Sequence, residues 1–301
     1  MKQRTATKIE SVVFTVCNGI VLISVAVCML YPFWNTIAVS FNEAVDTIRG
    51  GITLLPRKLT LQNYRVLFTT SALFHAFFIS VSRTIINMVT GVFFTAMIAY
   101  VLSRREFMFR RSFTLILVLS MYVNAGLIPT YFLIKNLHML NSFWVYIVPG
   151  MVSAFNFVVI RTYMRNLPES IIESARIDGC GEFIIFVRII LPLCLPVLAT
   201  VGLFVAVGAW NSWFDTMIYN SGRVNLHTLQ YKLMEYLQSS QSQARSSGDI
   251  GAMAMSQSSN MVTPVSIRAA ITVIAAAPIL IVYPFMQRYF VVGLNVGGVK
   301  E

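Results

Sequence analysis

The chain has 301 residues, of which 56% are hydrophobic and 12% charged. An ordinary soluble domain carries about 25% charged residues, so the polar faces that would hide a soluble core are missing; a soluble globular enzyme and a disordered chain are both excluded. The formal charge of +11 would suit a nucleic-acid binder, but the lysines and arginines stand between apolar runs, where they read as signals of membrane orientation.

A helix crosses a bilayer with about 20 mostly apolar residues, and the chain offers six such windows bounded by charge. Residues 1–11, with Lys2, Arg4 and Lys8, read as a cytoplasmic N-terminus. The apolar run that follows is too long for the about 7–15 residues of a signal-peptide core, so it is expected to be an uncleaved first span, 12–33. An external loop covers 34–72, with a short helix expected over 63–73. The second span is 73–102, followed by a short turn, 103–111, that holds Arg104, Arg105, Arg110 and Arg111. The third span is 112–134 and the fourth 141–160. A cytoplasmic segment, 161–188, leads to the fifth span, 189–214, which contains Pro192 and Pro196; a helix starting at Pro192 with a kink behind it is the expectation. A long external loop, 215–268, precedes the sixth span, 269–287, interrupted by Pro278 and Pro284, and residues 288–301 form a cytoplasmic tail. The alternation of a membrane barrel strand is absent. The expected fold is an all-α polytopic membrane protein with six transmembrane helices and both ends in the cytoplasm, since the arginine-rich short turns then all fall inside.

Cys17, Cys28, Cys180 and Cys194 form no C-x-x-C pair, and neither a disulfide framework nor a metal site is expected. The segment 161–192 is the most informative. Pro168 suits a first helical turn and Glu169 the positive end of the helix dipole. Leu167, Ile171 and Ala175 recur at a spacing of four, and Gly179 and Gly181 stop the helix. The result is a short amphipathic helix under the membrane. Two readings stay open: an interfacial helix with Glu173 and Arg176 as a local i,i+3 pair, or a docking helix shown to a cytoplasmic partner.

Glu173-Ser174-Ala175, three residues, Gly179, nine residues and Ile189-Ile190-Leu191-Pro192 resemble the EAA motif, E-A-A-x3-G-x9-I-x-L-P, of the permease subunits of binding-protein-dependent ABC importers. Ser174 stands where the motif has its first alanine. Tyr31-Pro32-Phe33-Trp34-Asn35 with Ser40-Phe41, and Leu59-Thr60-Leu61-Gln62-Asn63-Tyr64, resemble the second permease of maltose-type carbohydrate importers. The run from Tyr283 to Phe290, with Gly293 and Gly297, resembles the oligosaccharide branch of that family, including the LplC-like permeases. The resemblance implies a type I ABC importer permease fold, with the permease domain over 67–290, in a bacterial cytoplasmic membrane. It also implies partners: a second homologous permease, a cytoplasmic ATPase dimer and an external solute-binding protein that delivers a sugar or oligosaccharide. By the same resemblance Glu173, Ser174, Ala175, Asp178, Gly179, Leu191 and Pro192 would couple the chain to the ATPase. ATP and Mg would then sit on the partner, with no cofactor on this chain.

The chain has no G-x-x-x-x-G-K-[ST] and no glycine followed by lysine, so the P-loop route to ATP is closed to it. No H-E-x-x-H occurs, and His75, His138 and His227 are scattered; no catalytic or metal residues are expected. Apart from Arg83, towards the outer edge of the second span, no span carries an ionisable residue near its middle, which counts against an ion-coupled carrier. A permease for a non-sugar solute stays open as an alternative, and an ion-coupled secondary transporter as a weaker one. Tyr122, Asn124, Asn156, Trp210 and Asn211 are candidates for a sugar path, because amides and aromatic rings bind hydroxyl-rich ligands without charge. Interhelical hydrogen bonds and an interfacial aromatic belt are the competing readings. In the external loop, Gly248, Gly251 and Met253 are candidates for contact with the binding protein, again by resemblance.

Overall fold

A computed structural model describes residues 2–69, 71–246 and 263–295, with no side chain described for 2–12, 69, 71, 239–246, 264 and 285–295. The chain forms two compact units, Met1–Thr70 with Tyr236–Ile274, and Ser71–Glu235 with Ala275–Glu301.

The first unit begins with α1 (Lys2–Ser40). Its apolar stretch, Val13–Ser40, has 28 residues and a mean hydropathy of 2.4. At a rise of about 1.5 Å per residue this is longer than the hydrocarbon core of a bilayer, about 30 Å. Its apolar side chains from Val13 to Phe33 are exposed, as lipid-facing residues must be. Beyond Ser40 the chain reverses through α2 (Ala44–Ile48) and α3 (Gln62–Thr69). Buried Asn42 organises the turn. Its Nδ2 donates to the Asp46 carboxylate at 3.0 Å and to the Thr47 hydroxyl at 3.1 Å, and its Oδ1 accepts the Lys58 N–H at 3.0 Å. The Asn42 amide, and after it the Arg57 guanidinium, hold the Asp46 carboxyl below the usual carboxylate range, against the opposing pull of desolvation. Asn63 donates to the carbonyls of Ser40 and Asn42 at 2.8 and 2.9 Å, Tyr64 meets the Ser40 hydroxyl at 2.7 Å, and the Phe41 and Tyr64 rings lie 4.9 Å apart. Trp34 Nε1 and Asn35 Nδ2 donate to the carbonyls of Leu54 and Ile52, each at 2.7 Å. The two motifs at 31–41 and 59–64 are therefore the two halves of one clasp.

The second unit is built on α4 (Ser71–Ser103), apolar over Ala72–Ser103. The window 112–134 holds two helices, α5 (Arg110–Ser120) and α6 (Leu127–Asn136). Between them Asn124 Oδ1 accepts the Gly126 N–H at 2.9 Å and Gly126 takes φ +84°, a turn that a residue with a side chain rarely adopts. The window 141–160 is also divided. Two 3-10 turns, Phe143–Tyr146 and Val148–Gly150, precede α7 (Ala154–Arg165), and the two parts are bent by 50°. Pro149 and Gly150 account for the break.

After α8 (Glu169–Ile177) comes α9 (Glu182–Ile185), a π turn at Phe186–Ile190 and α10 (Leu191–Leu193). An 83° bend then leads into α11 (Leu195–Asn211). Pro192 is thus not the start of the long helix. It has no N–H for the carbonyl of Arg188 and its ring crowds that group, so the preceding turn widens to π geometry. The bend falls at Cys194, and Pro196 takes the first turn of α11. The chain continues through α12 (Phe214–Tyr219), a 3-10 turn at Val224–Leu226, α13 (Leu229–Ser246) and α14 (Pro264–Asn295). α14 runs through Pro278 and Pro284 without a break in its assignment, as membrane helices can. Val13–Ser40, Ala72–Ser103 and Val265–Pro284 are long and apolar enough to cross a membrane, and the two bent pairs raise this to five if each is one span.

The core of the second unit joins Ala96, Ala99 and Tyr100 of α4 to Phe157, Ile160 and Met164 of α7 and to Val197, Leu198 and Val201 of α11. The packing is close at Gly91 and Gly202, where an added Cβ would stand in ordinary contact, 3.5 Å from the Met151 carbonyl oxygen and 3.6 Å from Met88 Cγ. At the N-terminal half of α4 the packing is polar. Arg83, only 3% exposed, pairs with the Asp215 carboxylate, donates to the Ser212 carbonyl at 3.2 Å and lies 4.5 Å from the centre of the Tyr146 ring. Asn87 donates to the Tyr146 carbonyl at 2.9 Å, and Tyr146 donates to the Leu226 carbonyl at 2.7 Å.

His227, beside this network, is buried; its Nε2 meets the Ser221 carbonyl at 3.2 Å and its ring stands edge-on to Tyr231. Burial pushes the imidazole below its ordinary range, only partly opposed by the Ser221 carbonyl. The folded chain therefore holds this proton less well than the unfolded chain. The stability it contributes is full above about pH 6.5 and is lost as pH falls through the lower folded value. The expected result is a melting temperature that drops between about pH 7 and 5, with a smaller drop for His227→Gln. Equal drops in both proteins would show that the imidazole is not responsible.

Candidate functional site

α8 has nine residues and begins directly after Pro168, whose extended ψ of 128° sets the entry angle. Glu169 lies in its first turn and Arg176 in its last, as the helix dipole favours. The helix ends in a Schellman motif. Cys180 N–H reaches the Ala175 carbonyl and Gly179 N–H the Arg176 carbonyl, each at 3.0 Å, with Gly179 at φ +77°. Only glycine takes that conformation without strain.

The buried face of α8 differs from the expected one. Ile172 and Ala175, at 2% and 6% exposure, enter the core beside Ile185, Phe186 and Ile190, whereas Ile171 is exposed and Leu167 lies outside the helix, half-buried. A helix this short needs only one pair at i,i+3 to seat it, and burying Ile172 contributes about 1.5–3 kcal/mol. Ala175 is small because it lies against this core. Ile190, fully buried, and Leu191, half-buried, form the other side of the same seat, while Pro192 is exposed.

The opposite face is open: Glu173, Ser174, Ile177, Asp178 and Gly179 are all exposed, Ile177 at 87%. The local Glu173–Arg176 pair is not formed. Arg176 turns instead to two other carboxylates. Its Nε donates to Glu182 Oε1 at 2.8 Å and its second terminal nitrogen to Glu106 Oε2 at 2.8 Å, while the Tyr100 hydroxyl donates to Glu182 Oε2 at 2.6 Å. The hydrogen bond from Arg176 holds the Glu106 carboxyl below the usual carboxylate range, and Glu106 and Glu182 together raise the Arg176 guanidinium. With Arg176 engaged in this way, Glu173 forms no ion pair among the described residues. The Glu106–Arg176–Glu182 clamp and exposed Ile177 are the functional features that sequence reasoning missed. The clamp joins positions 70 residues apart, with no local signal.

The other candidates are scattered. Tyr122 and Asn124 are exposed on the break between α5 and α6. Asn156 is buried in the first turn of α7, where its N–H reaches the Ser153 hydroxyl at 3.4 Å. Trp210 is buried and its indole N–H donates to the Ala275 carbonyl at 2.8 Å; it lines an apolar crevice of about 90 Å³ with Val207 and Ile279. Asn211 is exposed and accepts from Gln230 at 3.3 Å. No side-chain hydrogen bond among the described residues joins one of these five to another. Gly248, Gly251 and Met253 lie outside the described residues, and the side chains of 285–290 and Gly293, with Gly297, do as well.

Long apolar helices with lipid-type exposed faces, packed round a shared core, define a multi-pass membrane protein. The chain belongs to the family described as the inner membrane component of binding-protein-dependent transport systems, whose profile matches residues 13–295. It is therefore a membrane-embedded transport subunit. It is 34% identical to the polygalacturonan/rhamnogalacturonan transport system permease protein YtcP of Bacillus subtilis, over 94% of this chain and 96% of the relative. It is 35% identical to protein LplC of the same organism, over 96% and 95%. It is 30% identical to the arabinooligosaccharides transport system permease protein AraQ of Halalkalibacterium halodurans, over 92% and 93%. Among solved structures it resembles a chain of a bacterial ABC transporter involved in the import of the acidic polysaccharide alginate, with a TM-score of 0.82 and 27% identity over 92% of this chain and 96% of that one.

Proposed function

We propose that the chain is the permease subunit of an ATP-driven importer of an oligosaccharide, working by alternating access. The observation that carries the reading is the exposed face of α8, held rigidly from behind and unpaired in front. In this reading Glu173, Ser174, Asp178 and Gly179, with Ile177, seat in a cleft of a cytoplasmic ATPase dimer, where ATP and Mg are bound. Ala175 and Leu191 hold the seat from the permease side, and exposed Pro192 marks the turn that follows it. The chain crosses the membrane six times, α5 and α6 together making the third crossing, and both ends are cytoplasmic. A second homologous permease covers the exposed faces of α5 and α6, and the path between the two permeases takes in Tyr122 and Asn124. A solute-binding protein delivers the substrate from outside, with 215–268 as the segment that meets it. The sugar class is supported by YtcP, AraQ and the alginate transporter, whose names refer to acidic or neutral glycans.

The test is reconstitution of the chain with its co-encoded partner subunits in proteoliposomes. Accumulation of an oligosaccharide that requires ATP and the binding protein is expected. Accumulation of an amino acid or phosphate ester instead, or uptake driven by a proton gradient without ATP, would overturn the assignment.

A further inference from the structure

On the same side of the second unit as the foot of α4 lies a polar cavity of about 340 Å³. Six arginines line it: Arg104, Arg105, Arg110, Arg111, Arg161 and Arg165. Among the described residues the only acidic group on its wall is Glu169, which meets Arg105 at 3.7 Å. Arg104 is steadied over the Tyr100 ring at 5.0 Å, and Arg161 donates its Nε to the Leu102 carbonyl at 3.0 Å. Both contacts fix a guanidinium while leaving N–H donors free. Arg110, Arg111 and Arg165 form no side-chain hydrogen bond or ion pair among the described residues.

Orientation alone needs arginines near the membrane face, not arginines from three segments brought round one hollow. Like charges at this spacing repel unless an anion lies among them. The planar fork of arginine matches phosphate oxygens two at a time. Position decides the source of the phosphate. Arg104 follows the end of α4, Arg110 opens α5, and Arg161 and Arg165 close α7, so the lining stands where apolar helices end and lipid headgroups lie. Basic pockets between membrane helices bind anionic headgroups of this kind.

We propose that this cavity is a binding site for the phosphate of an anionic phospholipid, cardiolipin or phosphatidylglycerol. Glu169 on its wall is the first residue of α8, so the bound headgroup also sets the N-terminal end of that helix. The inference is independent of which solute the chain carries.

The test is native mass spectrometry of the full chain in mild detergent, titrated with cardiolipin, phosphatidylglycerol or phosphatidylcholine. The anionic lipids are expected to bind about tenfold more tightly than phosphatidylcholine, and the double variant Arg110→Gln/Arg165→Gln to lose that preference. Arg110→Lys/Arg165→Lys, which keeps the charge, should retain part of it. Anionic lipid that stays bound in excess inorganic phosphate supports the headgroup as the ligand; its release would assign the site to free phosphate and overturn the lipid. No preference in the native chain, or full preference in the glutamine variant, overturns the site. Loss of ATPase co-purification in that variant with lipid preference intact would assign the arginines to a protein partner, which also overturns it.

Discussion

Replacing Glu173 by arginine is expected to abolish ATP-driven uptake while the chain still inserts and folds. Glu173 is exposed and forms no ion pair within the described chain, so the substitution should change stability by no more than about 0.5 kcal/mol. Its effect falls on the partner. If α8 docks as proposed and Glu173 meets a basic group of the ATPase cleft, the arginine puts like charges together in a closed interface at a cost of several kcal/mol, enough to release the ATPase. The measurement has two parts: uptake in whole cells, and ATPase recovered with the affinity-tagged permease. Both should fall to background with permease abundance in the membrane unchanged. Glu173→Gln should lose less, because it removes the attraction without adding repulsion. Normal uptake in the arginine variant would refute the docking role of α8.

The second large effect is expected at Arg83. Arg83→Leu should destabilise the protein by about 3–5 kcal/mol, because Asp215, itself three-quarters buried, then keeps a charge without its partner. Asp215 would retain the Ser212 hydroxyl at 3.0 Å and the Thr216 N–H at 2.9 Å, which limits the loss but leaves the charge. The double variant Arg83→Leu/Asp215→Leu should recover a substantial part, since no charge then remains buried. Thermal unfolding in detergent, followed by reaction of buried Cys194 with a thiol dye, reads all three. A single variant as stable as the native chain would mean that the pair is incidental to the packing of α4.

The physics of these two sites explains what could be read along the chain. α8, its glycine stop and its small Ala175 announce themselves within a dozen residues, because a cap and a turn are local. The direction of its apolar face was misjudged: Ile171 and Ile172 are chemically equal, and only the position of Ile185 and Ile190 chooses between them. The clamp on Arg176 and the Arg83–Asp215 pair lie 70 and 132 residues apart, distances at which no periodicity operates. Hydropathy located the apolar windows but averaged over their breaks. Gly126, Pro149 and Cys194 each sit inside a long apolar run, and a window of about 20 residues dilutes one turn to invisibility. Pro192 was the visible proline, but the bend falls two residues later, at Cys194, between the turns that hold Pro192 and Pro196.

The clamp on Arg176 has a mechanical consequence. A surface helix seated by two side chains would roll under load and dissipate a push as local tilt. Arg176 ties its last turn to Glu106, on the connection between α4 and α5, and to Glu182, at the start of α9. A load on α8 would therefore reach the α4–α5 connection and the start of α9 together. α9 leads without interruption to the 83° elbow at Cys194, so on the proposed docking of α8 a small rotation of α9 would swing α11 sideways. On that reading the chain would work less like a bundle pushed from beneath than like a crank, with Arg176 as its pin.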